Sequence, residues 1–269
     1  MTRYFLAIPG IAFLFCALLS PSLAQTTPDT LPPSSGASAT PAQAAPVSTE
    51  DLAKLYLIRK EFAAAEVLFR KLTREQPKNA VYWNELGIAM HNQAELDPAK
   101  KCYEKAAKLD SHYSDPVNNI GTVWYERKKY PKAIRAYKRA IGIKDDYATF
   151  YMNLGYAYFA DKKYEESIAT FHKVLQLDPL AFDQASSRTG TVVQDRSLDA
   201  DRGRFYFMLA KSFAQAGNLE RCIIYLRKAR DEGFKDMDSA KSDPAFAGVL
   251  KDPAIQEILF PAPPETAQP

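Results

Sequence analysis

A pattern of apolar and small residues recurs every 34 positions along most of this chain and restricts its fold more than any other feature. In the clearest copy, residues 148–181, the side chains of Tyr151, Leu154, Gly155 and Tyr158 follow the spacing of one helix face. A second stripe of the same kind follows a short polar break and ends at an Asp-Pro pair, because proline has no N–H with which to continue a helix. One unit is therefore two amphipathic helices joined by a turn.

Moving back by 34 residues recovers the same residue types three times. The position of Leu154 is occupied in the three preceding units by Ile120, Leu86 and Leu52. The position of Phe171, the aromatic residue of the second helix, is occupied in the preceding units by Tyr137, Tyr103 and Phe69. The four tandem units are 46–79, 80–113, 114–147 and 148–181. Because one amphipathic pair cannot bury its own apolar face, the units must stack, and the sequence predicts an all-α fold, an α-solenoid.

These residue types resemble the tetratricopeptide repeat, whose signature is W-x2-L-G-x2-Y, then A-x3-F-x2-A, then P. Trp83, Leu86 and Gly87 match its first helix, and Ala99 and Tyr103 match its second. Small residues at these positions let neighbouring helices approach, and the aromatic rings fill the space between them. The resemblance implies a right-handed superhelix of helix-turn-helix repeats that binds other proteins and needs no cofactor.

The 34-residue step fails after Ala181. Residues 182–202 form an insertion, which is either a flexible solvent loop or a small ordered flap on the groove. The pattern then resumes over 203–236 as a fifth unit. Asp243-Pro244 and Asp252-Pro253 each suggest an N-cap followed by the first helical residue, so two capping helices of about two turns are expected within 237–260, before a flexible tail at 261–269.

The first 24 residues are typical of an export signal. Arg3 precedes the apolar run Tyr4–Leu19, and Ser22-Leu23-Ala24 supplies small residues where a signal peptidase cuts. The run of 16 residues is shorter than the ~20 that a spanning helix needs. We expect cleavage before Gln25 and a periplasmic or secreted protein of the bacterial envelope, with an uncleaved inner-membrane anchor as the alternative. Residues 25–47, rich in Pro, Ala, Ser and Thr, predict a disordered linker.

Polar residues predict where several helices begin. Ser48 or Thr49 can cap the first helix. Asp97-Pro98 and Asp115-Pro116 have the order of an N-cap acceptor followed by a proline at the first helical position. We therefore expect a helix to begin after Asp97 and another after Asp115.

The charge balance disfavours binding to nucleic acid. The formal net charge is +3, and loss of Arg3 with the signal leaves about +2, which is too small for an electrostatic nucleic-acid binder. The lysine pairs at 128–129 and 162–163 lie in predicted turns. We interpret them as solvated residues that form no basic stripe.

Sequence signals for catalysis and metal binding are missing. His91, His112 and His172 belong to different units, so a shared metal site is not expected. The chain has no Gly-rich phosphate loop and no nucleophile motif. Cys102 and Cys222 lie in the second and fifth units, too far apart for an internal disulfide in a stacked array. We expect a protein that is not an enzyme.

The resemblance places the concave groove on the first helix of each pair. The predicted partner-binding residues are Asn84, Ile88 and His91 in the second unit, Asn118, Thr122 and Tyr125 in the third, Met152, Tyr156 and Phe159 in the fourth, and Phe207 and Lys211 in the fifth. Aromatic rings among amides suit an extended peptide or a partner helix. For Tyr156 and Phe159, packing against the next repeat is an alternative.

One subclass of the family grips C-terminal carboxylates with Lys, Asn and Arg on successive first helices. Asn119 and Asn153 match that pattern, but Glu85 and Thr149 stand where basic residues are needed, so the clamp is not supported. The first functional hypothesis is a non-catalytic module that binds a protein or peptide partner of the envelope. The alternatives are a self-associating scaffold with stacked repeat edges, a membrane-anchored assembly factor and an activity carried by the insertion.

Overall fold

The structure, a computed structural model, describes residues 47–182 and 201–261 and contains α-helices, short 3₁₀ helices and no strand in those ranges. The α-helices are α1 (Thr49–Ile58), α2 (Phe62–Glu75), α3 (Ala80–Asn92), α4 (Leu96–Leu109), α5 (Ser114–Glu126), α6 (Tyr130–Ile143), α7 (Ala148–Ala160), α8 (Tyr164–Leu177), α9 (Arg202–Gln215), α10 (Leu219–Asp231) and α11 (Pro253–Leu259). The predicted signal, nearly all of the linker, most of the insertion and the tail fall outside the described residues. In the described ranges no helix has the length and apolar character of a membrane span.

The helices pack in the order of the chain, which confirms the predicted α-solenoid. Each helix from α1 to α10 contacts the helices before and after it, and α8 contacts α9 although the insertion separates them in sequence. Among the first helices of the pairs, α5 also contacts α3 and α7. We call α1, α3, α5, α7 and α9 the inner helices, and α2, α4, α6, α8 and α10 the outer helices.

A glycine beneath an aromatic ring fixes the approach of the two helices within a pair. Gly121 of α5 lies under the fully buried ring of Tyr137 from α6, so that a Cβ at this glycine would be 2.5 Å from Tyr137 Cε1. Gly87 with Tyr103 and Gly155 with Phe171 repeat the arrangement. The missing side chain thus allows a close contact that any larger residue would block.

The turn between the two helices of a pair repeats with the same period. Lys60, Ala94, Lys128 and Lys162 have φ between 56 and 64°, and they are spaced 34 residues apart. This left-handed conformation costs a residue with a side chain about 1 to 2 kcal/mol. In the fifth pair the equivalent turn residue is a glycine, Gly217, with φ 71°. The stacking of the repeats therefore holds the turn in place where the local sequence does not favour it.

The helix starts differ in part from the sequence prediction. Ser48 caps α1 by accepting a main-chain N–H at 3.0 Å. The prediction for Asp97 and Asp115 is wrong, because α4 begins at Leu96 and α5 at Ser114, so both aspartates lie within the first helical turn. The prolines that follow are tolerated there because the first-turn N–H groups have no partner within the helix.

The segment after α10 closes the end of the array. It contains the 3₁₀ helices Met237–Lys241 and Pro244–Phe246 before α11. Asp243 and Asp252 act as N-caps, but the first of the two predicted capping helices is only a three-residue 3₁₀ helix, and Met237–Lys241 was not anticipated. The apolar side chains that cover the last pair are Phe246, Ile255, Ile258 and Leu259.

Candidate partner-binding surface

The residues predicted to line the groove all lie on inner helices, but most of their side chains are buried. Ile88, Tyr156 and Lys211 are half-buried. The buried members are Asn84, His91, Asn118, Thr122, Tyr125, Met152, Phe159 and Phe207. Buried side chains offer little area to a partner. Partner binding by these residues stays a prediction.

Four buried asparagines form a ladder across three inner helices. Asn119 Nδ2 donates to Asn84 Oδ1 at 3.1 Å, and Asn118 Nδ2 donates to Asn119 Oδ1 at 3.3 Å. Asn153 Nδ2 then donates to Asn118 Oδ1 at 3.1 Å. Buried amides need such partners, and these bonds tie α3, α5 and α7 together. The amides of Asn119 and Asn153 therefore hold the inner helices of neighbouring repeats at a fixed distance.

The buried imidazole of His91 joins the second and third repeats. His91 Nε2 lies 2.8 Å from Glu126 Oε1, and His91 Nδ1 lies 3.3 Å from Tyr103 Oη. Tyr103 is fully buried, whereas the Glu126 side chain is 42 % exposed. The contacts from Tyr103 through His91 to Glu126 therefore end at a solvent-exposed carboxylate, which is accessible to a partner.

The aromatic rings of the fourth repeat pack against the fifth. The ring centroid of Phe205 lies 5.7 Å from that of Tyr156, 5.4 Å from that of Phe159 and 5.8 Å from that of Phe171. Such offset and edge-to-face contacts stabilise a core beyond the area they bury. The structure thus adopts the alternative in which Tyr156 and Phe159 pack against the next repeat.

The C-terminal segment covers the predicted groove residues of the fifth repeat. The Phe207 ring lies 4.7 Å from Phe234 and 5.6 Å from Phe246, measured between centroids. Lys211 Nζ pairs with Asp243 Oδ2 at 2.9 Å. Burial lowers the pKa of Lys211, but the hydrogen bonds and negative charges of Asp243 and Glu165 together raise it overall. The chain itself therefore occupies this part of the inner surface.

Carboxylates collect on the inner helices of the first three repeats. We call Glu50, Glu85, Asp115 and Glu126 the acidic inner face; Lys54 lies beside Glu50 and Glu85, and the charge of Lys144 acts on Asp115. Glu50 accepts the Tyr82 hydroxyl at 2.6 Å and pairs with Lys54 at 2.5 Å. Sequence reasoning did not identify this face as a binding surface, because its members lie in three different repeats and only stacking brings them to one side.

Two members of the acidic inner face are held in a weakly solvated environment. Desolvation raises the pKa of Glu85, and a hydrogen bond with Asn84 and the charge of Lys54 only partly oppose it. Desolvation also raises the pKa of Asp115, whose charge in turn raises that of Glu85. A cation from a partner would favour the ionised form of both carboxyl groups.

The two cysteines in the described residues are free and buried. Burial raises the pKa of Cys102 to about 11 and that of Cys222 to about 12. The thiolate is the nucleophile and the metal ligand, and it is scarce at neutral pH for such groups. Both residues act as packing in their repeats.

Models of the tetratricopeptide repeat match most of the stacked helices. One matches residues 148–179, a second repeat model matches 121–162, and a third matches both 80–113 and 203–229. The chain belongs to the tetratricopeptide-repeat family. Tetratricopeptide-repeat proteins are generally non-catalytic scaffolds for protein interaction.

Solved structures of other tetratricopeptide-repeat proteins are similar to this chain at low sequence identity. The crystal structure of MamA is 19 % identical with a TM-score of 0.48, over 71 % of this chain and 98 % of that one. A thermophilic protein of Thermus thermophilus is 15 % identical with a TM-score of 0.48, over 71 % and 94 %. The first tetratricopeptide domain of Spaghetti, bound to an HSP90 peptide, is 28 % identical with a TM-score of 0.38, over 39 % and 83 %. No curated protein matches the sequence significantly.

Proposed function

We propose that this protein is a non-enzymatic interaction module of the bacterial cell envelope that binds a peptide or helix of a partner protein on its acidic inner face. The observation that carries the proposal is the division of the inner surface. The acidic inner face of the first three repeats has four carboxylates, of which Glu126 is 42 % exposed and Glu50 35 % exposed. In the fourth and fifth repeats, aromatic packing and the C-terminal segment cover the predicted groove residues.

The charge of the acidic inner face indicates the chemistry of the partner. Glu85 and Asp115 are partly desolvated carboxyl groups, and Lys54, the nearby cation, is already paired with Glu50. A lysine or arginine of a bound segment would meet carboxyl groups whose ionised form the surrounding residues only partly stabilise. Val81, which is 42 % exposed on the same inner helix as Glu85, adds apolar area for the rest of that segment. We therefore expect a partner segment that combines basic and apolar residues.

The test compares capture of envelope proteins by the chain and by the double variant Glu85→Gln and Asp115→Asn. Both changes keep the side-chain shape and remove the charge. We expect capture of the specific partner, measured by quantitative mass spectrometry, to fall about fivefold, as is typical of losing partly exposed charge pairs. Unchanged capture would exclude the acidic inner face as the binding surface.

Glu104→Gln provides the matched control. Glu104 is an exposed carboxylate on the outer helix α4, paired with Lys100 at 2.6 Å. Its neutralisation changes the net charge in the same direction but leaves the inner helices intact, so capture should persist. Circular dichroism of all variants checks that the helices are retained.

The same binding should depend on pH in a predictable direction. The pKa values of Glu85 and Asp115 are raised, so both groups protonate at a higher pH than exposed carboxyl groups. A cationic partner binds the ionised form. Capture should therefore be complete above these raised pKa values and decline as the pH falls through them. The residual capture by the double variant should decline only at a lower pH.

A second candidate, self-association, is favoured by the exposed apolar residues of the first pair. Ile58 is 78 % exposed and Val67 is 66 % exposed, whereas the other end of the array is closed by α11. With one open edge among the described repeats, stacking of copies would produce a two-fold dimer rather than an extended filament. Sedimentation equilibrium of the unsubstituted chain and of the Ile58→Lys variant would distinguish a dimer formed through this edge from a monomer. A monomer at high concentration for the unsubstituted chain would exclude self-association.

A further inference from the structure

The outer helices of the second and third repeats carry an unusual excess of positive charge. Residues 127–144 contain eight basic residues and no acidic residue. Together with α4 they have a formal net charge of +10, whereas the entire chain has +3. The remainder of the chain is therefore acidic on balance, and the near-neutral total conceals a strongly basic region.

The basic side chains form two stripes on the exposed surface. We call the basic outer face Lys101, Lys105 and Lys108 of α4 together with Lys132, Arg135 and Arg139 of α6, all of which are exposed. Their spacing of three or four residues places each set along one side of its helix, over about 10 Å. Among the described residues none of these six side chains forms an ion pair.

Cations of α4 and α6 meet at the ring of Trp124. Its ring lies between the outer helices, with Lys100 Nζ of α4 at 5.4 Å and Lys132 Nζ of α6 at 4.7 Å from the centroid. Arg127 and Lys129 lie within 5.9 Å of the same ring. The ring attracts each of these cations. Lys100 pairs with Glu104 and Arg127 with Asp97. Lys129 and Lys132 form no ion pair with another described residue, so positive charge remains in excess beside the indole.

From this geometry we infer that the basic outer face docks on an anionic phospholipid bilayer. The cations lie on α4, on α6 and on the turn that leads from α5 into α6, so they suit a planar array of negative charges. Lysine and arginine side chains are attracted to anionic headgroups, and tryptophan prefers the interface between headgroups and acyl chains. This inference does not depend on partner binding, because the acidic inner face is built from other helices.

The experiment measures cosedimentation of the chain from Gln25 onward, which contains every described helix, with lipid vesicles. Vesicles of phosphatidylcholine mixed with phosphatidylglycerol are compared with vesicles of phosphatidylcholine alone. We expect binding only to the anionic vesicles, and the bound fraction should fall as salt is added. Equal binding to both vesicle types, or to neither, would overturn the inference.

Two triple variants decide whether the basic outer face is responsible. The variant Lys132→Gln, Arg135→Gln and Arg139→Gln should bind anionic vesicles at least tenfold more weakly. The control variant Arg227→Gln, Lys228→Gln and Arg230→Gln removes the same charge from the exposed surface of the outer helix α10 and should change binding less than twofold.

Equal losses in the two variants would show a general charge effect and contradict the assignment to α4 and α6. Binding of a single-stranded nucleic acid or an acidic peptide, with no binding to vesicles, would also overturn it and point to a different anionic partner. Circular dichroism confirms that both variants remain helical. Capture of the protein partner through the acidic inner face should be the same for both.

Discussion

Replacing Phe171 with alanine should lower the free energy of unfolding by ~3 to 5 kcal/mol. Phe171 is fully buried in α8, and its ring lies 5.5 Å from Tyr156, 5.8 Å from Phe205 and 5.4 Å from Phe182, between centroids. The alanine would leave a cavity where the fourth pair meets the fifth. Packed rings on every side cannot collapse into it without losing their own contacts.

Chemical denaturation followed by circular dichroism measures this loss. Because repeats stabilise one another only through their neighbours, a weakened junction should also let the fifth pair unfold before the rest, which lowers the apparent m-value. Lys173→Ala on the same helix is the control and should change stability by less than ~0.5 kcal/mol. Equal losses for the two substitutions would show that the apolar stripe of α8 has been misplaced.

Adding one methyl group at Gly121 should destabilise the protein by ~1 to 3 kcal/mol, although alanine favours helices. A Cβ at this position would lie 2.5 Å from Cε1 and 2.6 Å from Cδ1 of Tyr137. The ring is fully buried, and its hydroxyl donates to Thr122 Oγ1 at 3.2 Å, so it cannot turn aside freely. The two helices of the third pair would have to separate.

The substitution Gly142→Ala should change the stability in the opposite direction. Gly142 lies in the last turn of α6, is exposed, and a Cβ there would contact nothing within 4 Å. Without a steric conflict the helix propensity of alanine should stabilise the protein by ~0.5 to 1 kcal/mol. Thermal denaturation of the two single variants should move Tm in opposite directions. A stabilised Gly121→Ala protein would contradict the close helix contact.

The repeat explains why so much of the fold was predictable from the sequence. A glycine under an aromatic residue occurs at the same spacing in three successive units, so each pair confirms the register of the next. Helix starts were less predictable, as Asp97 and Asp115 show. A local capping preference contributes about 1 kcal/mol, which the packing of a helix against its neighbours easily exceeds.

The binding surface was less predictable than the fold. Repeat positions correctly assigned Asn84, Asn118 and Tyr125 to inner helices, but not the hydrogen bonds and packing that bury them. Burial depends on residues from other repeats, such as Asn119 and Asn153 in the asparagine ladder. The charges of Glu85 and Asp115 likewise act on each other only because the stacking of two repeats places them close together.

The sequence by itself determined the helical repeat, its 34-residue period and the stacking of pairs, because these follow from the spacing of apolar residues along one chain. Only the tertiary structure decided which inner side chains remain accessible and that the C-terminal segment covers Phe207 and Lys211. It also brought Lys100 and Lys132 to the same face of the protein, around Trp124. The physical reason is that surface chemistry depends on distances between residues of different repeats, and spacing within one repeat does not specify them.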